Sequence, residues 1–570
     1  MRYIKVVFLI ALLCVYSKVY AQLSTHEQPI SFNLKFKLTV SSKSSKPTII
    51  MPSLDMKKIE EEDKEDENFD MPPRFGYSHI VNYDLHNSGT WFELPNGDKL
   101  WQLNVICPKA LSINFCYDKF WIPEGGKFFV FSKDKKHTLG AFTSKNNKGN
   151  RDNIRGFATE LLYGDDVILE YYQPKEVTND AIISIEYIVH GYRYIRNSEL
   201  GFGASDSCMI NINCNEGLDW QYEKRAVARV VSNGSFFTGS LITTTSLNEE
   251  PFFLTANHCI KSKGKDAINN PNFDYAVFYW NYEFSSCANE NVEPNNYQTT
   301  SGAIVVANPY NTYGENSDFA LLRLTEDPKC LTNYKPYYLG WNRSSSIDNP
   351  EVCIHHPKGD VKKISILSPI ITPSLYPYDQ FNFSQLYWKV SYIHGVVNPG
   401  SSGSALLDVA HRTIGQLRGG NTENCNYSGY NFYGRFDVSW TGNNIHTDSI
   451  HRRLDCWLDS LNTEEQIIEG LFIISSSVFI NTSQQIYCNI RIKDTGQLII
   501  ESDIELKGNG RIIVDSDCSL IIDGCTLSVA DIVLKPGSSL EILNGGILES
   551  RNGFKAPVGA YVYIDEGQIL

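Results

Sequence analysis

Three segments of this chain hold residue types that could carry out acyl transfer: a histidine in PFFLTANHCI, an aspartate in NSDFALLRL and serines in NPGSSGSALL. The histidine is His258 and the aspartate is Asp318, sixty residues further on. A hydroxyl is a weak nucleophile until a base takes its proton. An imidazole serves as that base best when a third group fixes its orientation. Each segment also has an ordinary reading. G-S-S-G-S is the composition of a turn, a lone histidine is more often structural, and an aspartate opening a strand is often a turn residue. The pattern alone leaves open which of Ser401, Ser402 and Ser404 would be the nucleophile.

All three segments adjoin short apolar runs. Between 203 and 460 the runs RAVARVVS, SFFTGSLIT, YAVFYWNY, GAIVVA, DFALLRL and IGQLRGG read as strands separated by long loops. The order histidine, aspartate, serine in a β-rich region is that of the two-barrel serine proteases. The strong helical candidate is NIHTDSIHRRLDCWLDSL, with Ile450, Leu454, Trp457 and Leu461 on one face.

The flanking regions differ in texture. Residues 1–21 have the form of a signal peptide: Arg2 and Lys5, an apolar run too short to span a bilayer, then cleavage after Ala21. Residues 22–75 read as a polar linker, and the charge run KKIEEEDKEDENFD at 57–70 as a solvated part of it. Residues 76–202 carry alternating runs (LWQLNVICP, KFFVFS, VILEYYQP, AIISIEYIVHGYRY) and predict a β-sandwich. Residues 203–462 form the domain with the three segments. In 466–570 the segments IRIKDTGQL, IIVDSDCSL, IVLKPGSSL and VYIDEGQI align on Leu498, Leu520, Leu540 and Ile569, as in stacked β-solenoid rungs. The predicted fold class is all-β.

A net charge of −14 gives no reason to expect nucleic acid as a partner. Removing Cys14 with the leader leaves 13 cysteines, so at least one is unpaired; an exported chain can keep disulfides. Cys330 and Cys353 are spare candidates for a bridge, and sequence leaves the pairing of Cys107, Cys116, Cys259, Cys456, Cys488, Cys518 and Cys525 open. No cluster has zinc-like spacing, IHHPKGD at 354–360 included, so neither metal nor cofactor is expected.

The segments GASDSCMININCNEG, TGSLI, FFLTANHC, SDFALLRL, IHHPKGDVKKIS, NPGSSGSALLD, GQLRGG and YGR together resemble the lysyl endopeptidase branch of the trypsin-like serine proteases. Those are secreted bacterial enzymes with a pro-region, which residues 76–202 also resemble. The resemblance implies a chymotrypsin-like double β-barrel. It makes Ser402 the nucleophile, since G-S-S-G-S aligns with G-D-S-G-G. His258 would be the base, Asp318 its orienting group, and the N–H groups of Gly400 and Ser402 the oxyanion donors. It implies disulfides Cys208–Cys425 and Cys214–Cys287. The partner position of Cys259 in a third family bridge is Phe237, so either that bridge is lost or Cys259 has another partner. Ser401 stands where trypsin has an aspartate that pairs with the new N-terminus. Removal of 22–202 is therefore expected to activate by uncovering the cleft, with the active form beginning near 197–205.

The specificity pocket departs from the family. Asn431 replaces the aspartate that holds lysine, and Val396 stands where trypsin has its pocket aspartate. Arg418, before Gly419 and Gly420, replaces a histidine and is expected to add a cation beside the cleft. Glu423 is a candidate to restore negative charge. Two functions follow: a secreted serine endopeptidase of uncertain lysine preference, or a non-catalytic binding or adhesion protein on the same fold. Protein or peptide substrates are the expected partners, the solenoid is open to three roles (attachment to a cell surface, extension from one, or an export signal), and the chain is read as a monomer.

Overall fold

The computed structural model describes residues 27–33, 39–43, 47–68, 71–193, 202–260, 267, 272–309, 317–331, 334–347, 349–377, 385–421, 425, 427–442 and 449–570. The proposed leader, Glu423 and part of the expected processing region lie outside these residues.

The fold is all-β, and the strands group into four packed units. In the first, long alternating strands form two sheets. One contains Lys99–Ile106, Asp166–Gln173 and Lys127–Ser132; the other contains Ser112–Trp121, Ile182–Gly191 and Gly76–Asp84. Trp101, Leu103, Phe115, Tyr117, Phe128, Val167 and Leu169 fill the space between them. Period-two alternation puts these residues on the inner faces.

The stretch expected to be a linker is structured. Thr39–Lys43 and Thr48–Ile50 join the first sheet, and the acidic run forms the helix Met56–Asn68. Ile59 and Asp63, one turn apart, are its buried positions. Asp63 accepts from Arg74 Nη2 at 2.7 Å and Arg193 Nη2 at 2.6 Å. Fixed cations turn a solvated charge run into a docked helix.

The second unit is a closed barrel of Val227–Ser232, Ser235–Leu241, Phe252–Ala256, Phe319–Leu324, Gln298–Ala307 and Asn272–Trp280. The third is an eleven-stranded sheet that includes Pro350–His355, Ala405–Asp408, Arg412–Gly420 and Asn431–Arg435. It packs around Cys353, Trp388, Tyr392, Leu406, Ile414 and Tyr433. The helix expected over 444–461 is absent from the described part of that range. Only Ile450–Arg452 and Asp455–Leu458 make short turns, and Ile450 and Leu461 are exposed. Tertiary partners take the backbone bonds a helix would use: Asn308 N–H donates to His451 O, and Leu454 N–H to Ser439 O.

The fourth unit is a three-faced parallel solenoid. Leu498, Leu520 and Leu540 stack in register, as the repeat predicts, but Val562 continues the column. Ile569 pairs with Leu548 on another face. The strand Tyr337–Tyr338, which lies between the barrel and the eleven-stranded sheet in the chain, pairs with Gly470–Ile474 and so begins one solenoid sheet.

The sandwich seats on the outer face of the closed barrel. Lys148 Nζ donates to Ser301 O at 2.6 Å, and Arg155 Nη2 pairs with Asp274 at 2.5 Å. Phe75, Val189, Val231, Phe236 and Tyr279 form an apolar cluster across the junction. These contacts are on the barrel wall. Among the described residues, none of these contacts is with His258 or Ser402.

Glu160 is buried at this junction, and burial pushes its carboxyl up to about 8, against the opposing pull of Tyr297 and Arg229. A folded-state value raised from 4.5 gives stabilisation that is full below 4.5 and is lost as pH rises through about 8. The melting temperature of the intact chain is therefore expected to fall over that window. Glu160→Gln should flatten the fall. An unchanged profile in Glu160→Gln would rule out this carboxyl as its source.

Candidate active site

The histidine and aspartate meet because of strand register. Phe252–Ala256 runs antiparallel to Phe319–Leu324, from Phe252 opposite Arg323 to Ala256 opposite Phe319. The residues just past the paired ends are then neighbours, and Asn257 N–H donates to Asp318 O at 2.9 Å. One residue further, a short turn at Asn257–Ile260 presents His258. Its backbone N–H donates to Asp318 Oδ1 at 3.0 Å, and its Nδ1 lies 2.6 Å from Oδ2. Asp318 adopts φ +57°, a left-handed conformation that aspartate tolerates better than most side chains. An ionised carboxylate on Nδ1 fixes the proton there and leaves Nε2 as the acceptor.

Nε2 faces the Cys259 sulfur at 3.6 Å. Burial pushes that thiol well above its ordinary value, so it is an S–H group and a weak donor. Sequence reading registered only the lost disulfide partner; Phe237 occupies the barrel core at that position.

The three serines are distinguished by burial and bonding. Ser401 is fully buried, with Oγ 2.7 Å from His355 Nδ1. Ser404 is fully buried, with Oγ 3.1 Å from Cys353 Sγ. Ser402 is partly exposed, and its Oγ bonds to none of the described residues. Its carbonyl accepts from Thr238 N–H at 3.0 Å. Gly403, at φ +84°, sits so close to the histidine strand that a Cβ there would lie 2.1 Å from Thr255 Oγ1. That contact seats the serine turn at the end of Phe252–Ala256, the strand that leads into His258.

Gly400 has φ +94° and packs against the backbone of His356, Lys358 and Gly359. Among the described residues, neither Gly400 N–H nor Ser402 N–H donates to a protein acceptor, whereas their neighbours Ser401 and Gly403 do. Two unused N–H groups on one turn can stabilise an oxyanion.

Below the turn runs a neutral hydrogen-bond chain. Asn398 N–H donates to Ser401 Oγ at 3.2 Å, and Ser365 Oγ donates to Val396 O at 2.8 Å. The Ser401 hydroxyl therefore donates to His355 Nδ1, and His355 Nε2–H donates to Ser365 Oγ at 3.0 Å. Burial, with Lys363 nearby, lowers His355 to about 3, so the chain stays uncharged. His356 is also buried, its Nδ1 2.9 Å from Asp360 O.

The expected pocket residues are placed as follows. Asn431 is buried and pairs with Gly420 and Val390; its Oδ1 lies 2.3 Å from where a Cβ on Gly420 would stand. Val396 is fully buried and contributes its carbonyl to the chain below the turn. Gly419, at φ +151°, lies beside the Tyr376 hydroxyl. Arg418 is only 6% exposed, its Nε is 3.5 Å from Asp318 Oδ2, and its guanidinium lies 4.7 Å from the Tyr376 ring centroid. Its charge lies against the carboxylate that holds His258.

Cys208–Cys425 and Cys214–Cys287 are disulfide-bonded. Cys330 is exposed and Cys353 buried, and both are free thiols, so they form no bridge with each other.

Residues 202–434 match the protein family described as "Lysyl endopeptidase, C-terminal domain". The lysyl endopeptidase of Pseudomonas aeruginosa is 28% identical over 288 residues, covering 47% of this chain and 56% of that protein. The chain thus spans about half the length of that relative. Among solved structures, the HtrA-type protease AlgW with a tripeptide aligns at TM-score 0.28 and 19% identity, over 41% of this chain and 64% of that one. A Glu endopeptidase in complex with MPD aligns at TM-score 0.25 and 16% identity, over 41% and 92%.

Proposed function

From the premise that residues 202–434 are a trypsin-like domain of the lysyl endopeptidase type, we propose that this chain is a serine endopeptidase. The observation that carries the reading is the serine turn. Of its three serines, only Ser402 is partly exposed with an unengaged hydroxyl, and the turn also offers two unused N–H groups beside the His258–Asp318 pair.

In this mechanism His258 Nε2 takes the Ser402 proton as Oγ attacks the scissile carbonyl. The N–H groups of Gly400 and Ser402 hold the oxyanion. His258 then returns the proton to the leaving amine, and water cleaves the acyl-enzyme by the reverse path. Asp318 stabilises the imidazolium, with Arg418 Nε 3.5 Å from its Oδ2. Nε2 must exchange its contact with Cys259 for one with Ser402; catalytic hydrogen bonds often tighten only when substrate binds.

The residue preference we propose is for neutral side chains before the cleaved bond. Asn431 puts no charge on the pocket floor, and Arg418 is held by Asp318. The family relative and the two disulfides suggest an extracellular protein, and the solenoid is read as its attachment module. Labelling with a serine-directed phosphonate tests the reading. A non-catalytic binding protein on this fold, for which the Cys259 contact at Nε2 is the supporting observation, would leave Ser402 unlabelled.

Processing is expected near 197–205, beside Gly203. N-terminal sequencing of active secreted material should give a start in that window. Active material that begins at Gln22 would contradict it.

A further inference from the structure

The turn that offers the oxyanion donors is gripped from outside by a carboxylate that no mechanism has yet used. Asp206 lies four residues after Phe202, near the start of the protease domain. Lys358 Nζ donates to its Oδ1 at 2.7 Å, and Asn398 Nδ2 donates to its Oδ2 at 3.0 Å. Lys358 and Asn398 belong to the two loops that meet at Gly400. Lys358 N–H donates to Pro399 O at 2.7 Å, and the Gly400 backbone rests on Gly359, Lys358 and His356. Lys358 itself is at φ +53°, a conformation that lysine leaves unless something holds it.

The carboxylate is held in turn. Asp360 is 2% exposed. It accepts from Gly203 N–H at 2.8 Å, from Ser205 N–H at 3.3 Å and from the Ser205 hydroxyl at 2.6 Å. The Cys208–Cys425 disulfide fixes the segment two residues beyond Asp206. The segment 203–208 is therefore tied at both ends, with Asp206 between the ties.

We propose that Asp206 is a positioning residue for the oxyanion hole. By joining Lys358 to Asn398 it closes the two loops on Gly400 and keeps the Gly400 and Ser402 N–H groups turned toward the reacting carbonyl. It touches no substrate atom and acts only through the loops. The proposal rests on the peptidase reading, and its test separates the two.

The experiment compares processed wild-type enzyme with Asp206→Asn, Asp206→Ala, Asn398→Ala and the double variant Asp206→Ala/Asn398→Ala. Steady-state kinetics and the rate of phosphonate inactivation are measured on each. A loosened donor pair should cost less than outright removal of one donor, which is worth about 10² to 10³ in rate. The expected result is therefore a fall in kcat of about 10- to 100-fold, with KM within about 3-fold of wild type. Inactivation should slow in proportion. The double variant should be no slower than Asp206→Ala alone, because both changes break one clamp. Should the Asp206 variants fail to fold, Asn398→Ala and Lys358→Ala break the same clamp from the other side and must show the same loss of kcat. A kcat within 2-fold of wild type in folded variants would overturn the proposal, as would a rise in KM at unchanged kcat, while wild-type labelling would leave the peptidase reading standing. Wild-type enzyme that fails to label would overturn both.

Discussion

Ser402→Ala is expected to lower turnover by about 10⁴- to 10⁶-fold and to abolish labelling by a serine-directed phosphonate. The substitution deletes one oxygen from a partly exposed side chain that bonds to none of the described residues, so the turn should keep its shape. Thr238 N–H still meets the carbonyl of residue 402, and the His258–Asp318 pair is untouched. Whatever rate remains then measures the oxyanion donors and substrate binding alone. Ser401→Ala and Ser404→Ala are the controls. Ser401→Ala breaks the bond to His355 and Ser404→Ala the contact with Cys353, so rates can fall, but label must still attach at residue 402. Peptide mapping of the labelled protein reads this directly. Full turnover in Ser402→Ala would sink the mechanism.

The second large effect is a change of preference. Asn431→Asp is expected to raise kcat/KM for bonds following lysine by about 10²- to 10³-fold. That corresponds to the several kcal/mol lost when a buried ammonium lacks a carboxylate partner. In the proposed pocket the floor would be an uncharged amide packed over Gly420, while Val396 is fully buried with its carbonyl accepting from Ser365. A profile of cleavage sites on a denatured protein mixture decides the matter. Wild-type cleavage almost wholly after lysine would show that Asn431 is not the floor, or that another carboxylate serves the pocket. Lysine cleavage that arises only in Asn431→Asp would support the assignment.

Much of this site was legible because it is written in local words. A histidine just past the end of one strand and an aspartate just before the start of its antiparallel partner must become neighbours, and the pairing of Ala256 with Phe319 makes them so. Two bridges implied by family resemblance are present. What escaped sequence reading depends on distant partners. The acidic run is helical because Arg74 and Arg193 arrive at Asp63 from elsewhere. The apolar spacing at Ile450 and Leu461 suggested a helix face, yet their neighbours bond to Asn308 and Ser439 instead. Arg418 was legible only as a cation beside the cleft, because its neighbour Asp318 is one hundred residues away in the chain. In the solenoid, two apolar half-rungs of similar pattern compete for the same alignment, and only the ladder shows that Val562 and not Ile569 follows Leu540.

The strand Tyr337–Tyr338 lies between the barrel and the eleven-stranded sheet in the chain and yet opens a solenoid sheet. A tail attached that way is a beam and not a leash: it cannot swivel without tearing a hydrogen-bonded ladder. That sheet holds four further strands, and at ~4.8 Å per strand it extends about 20 Å. Anything that gripped the far rungs would hold the cleft at one height and one tilt. Such an enzyme would then choose among substrates partly by where a bond stands above that surface, like a blade set on a gauge.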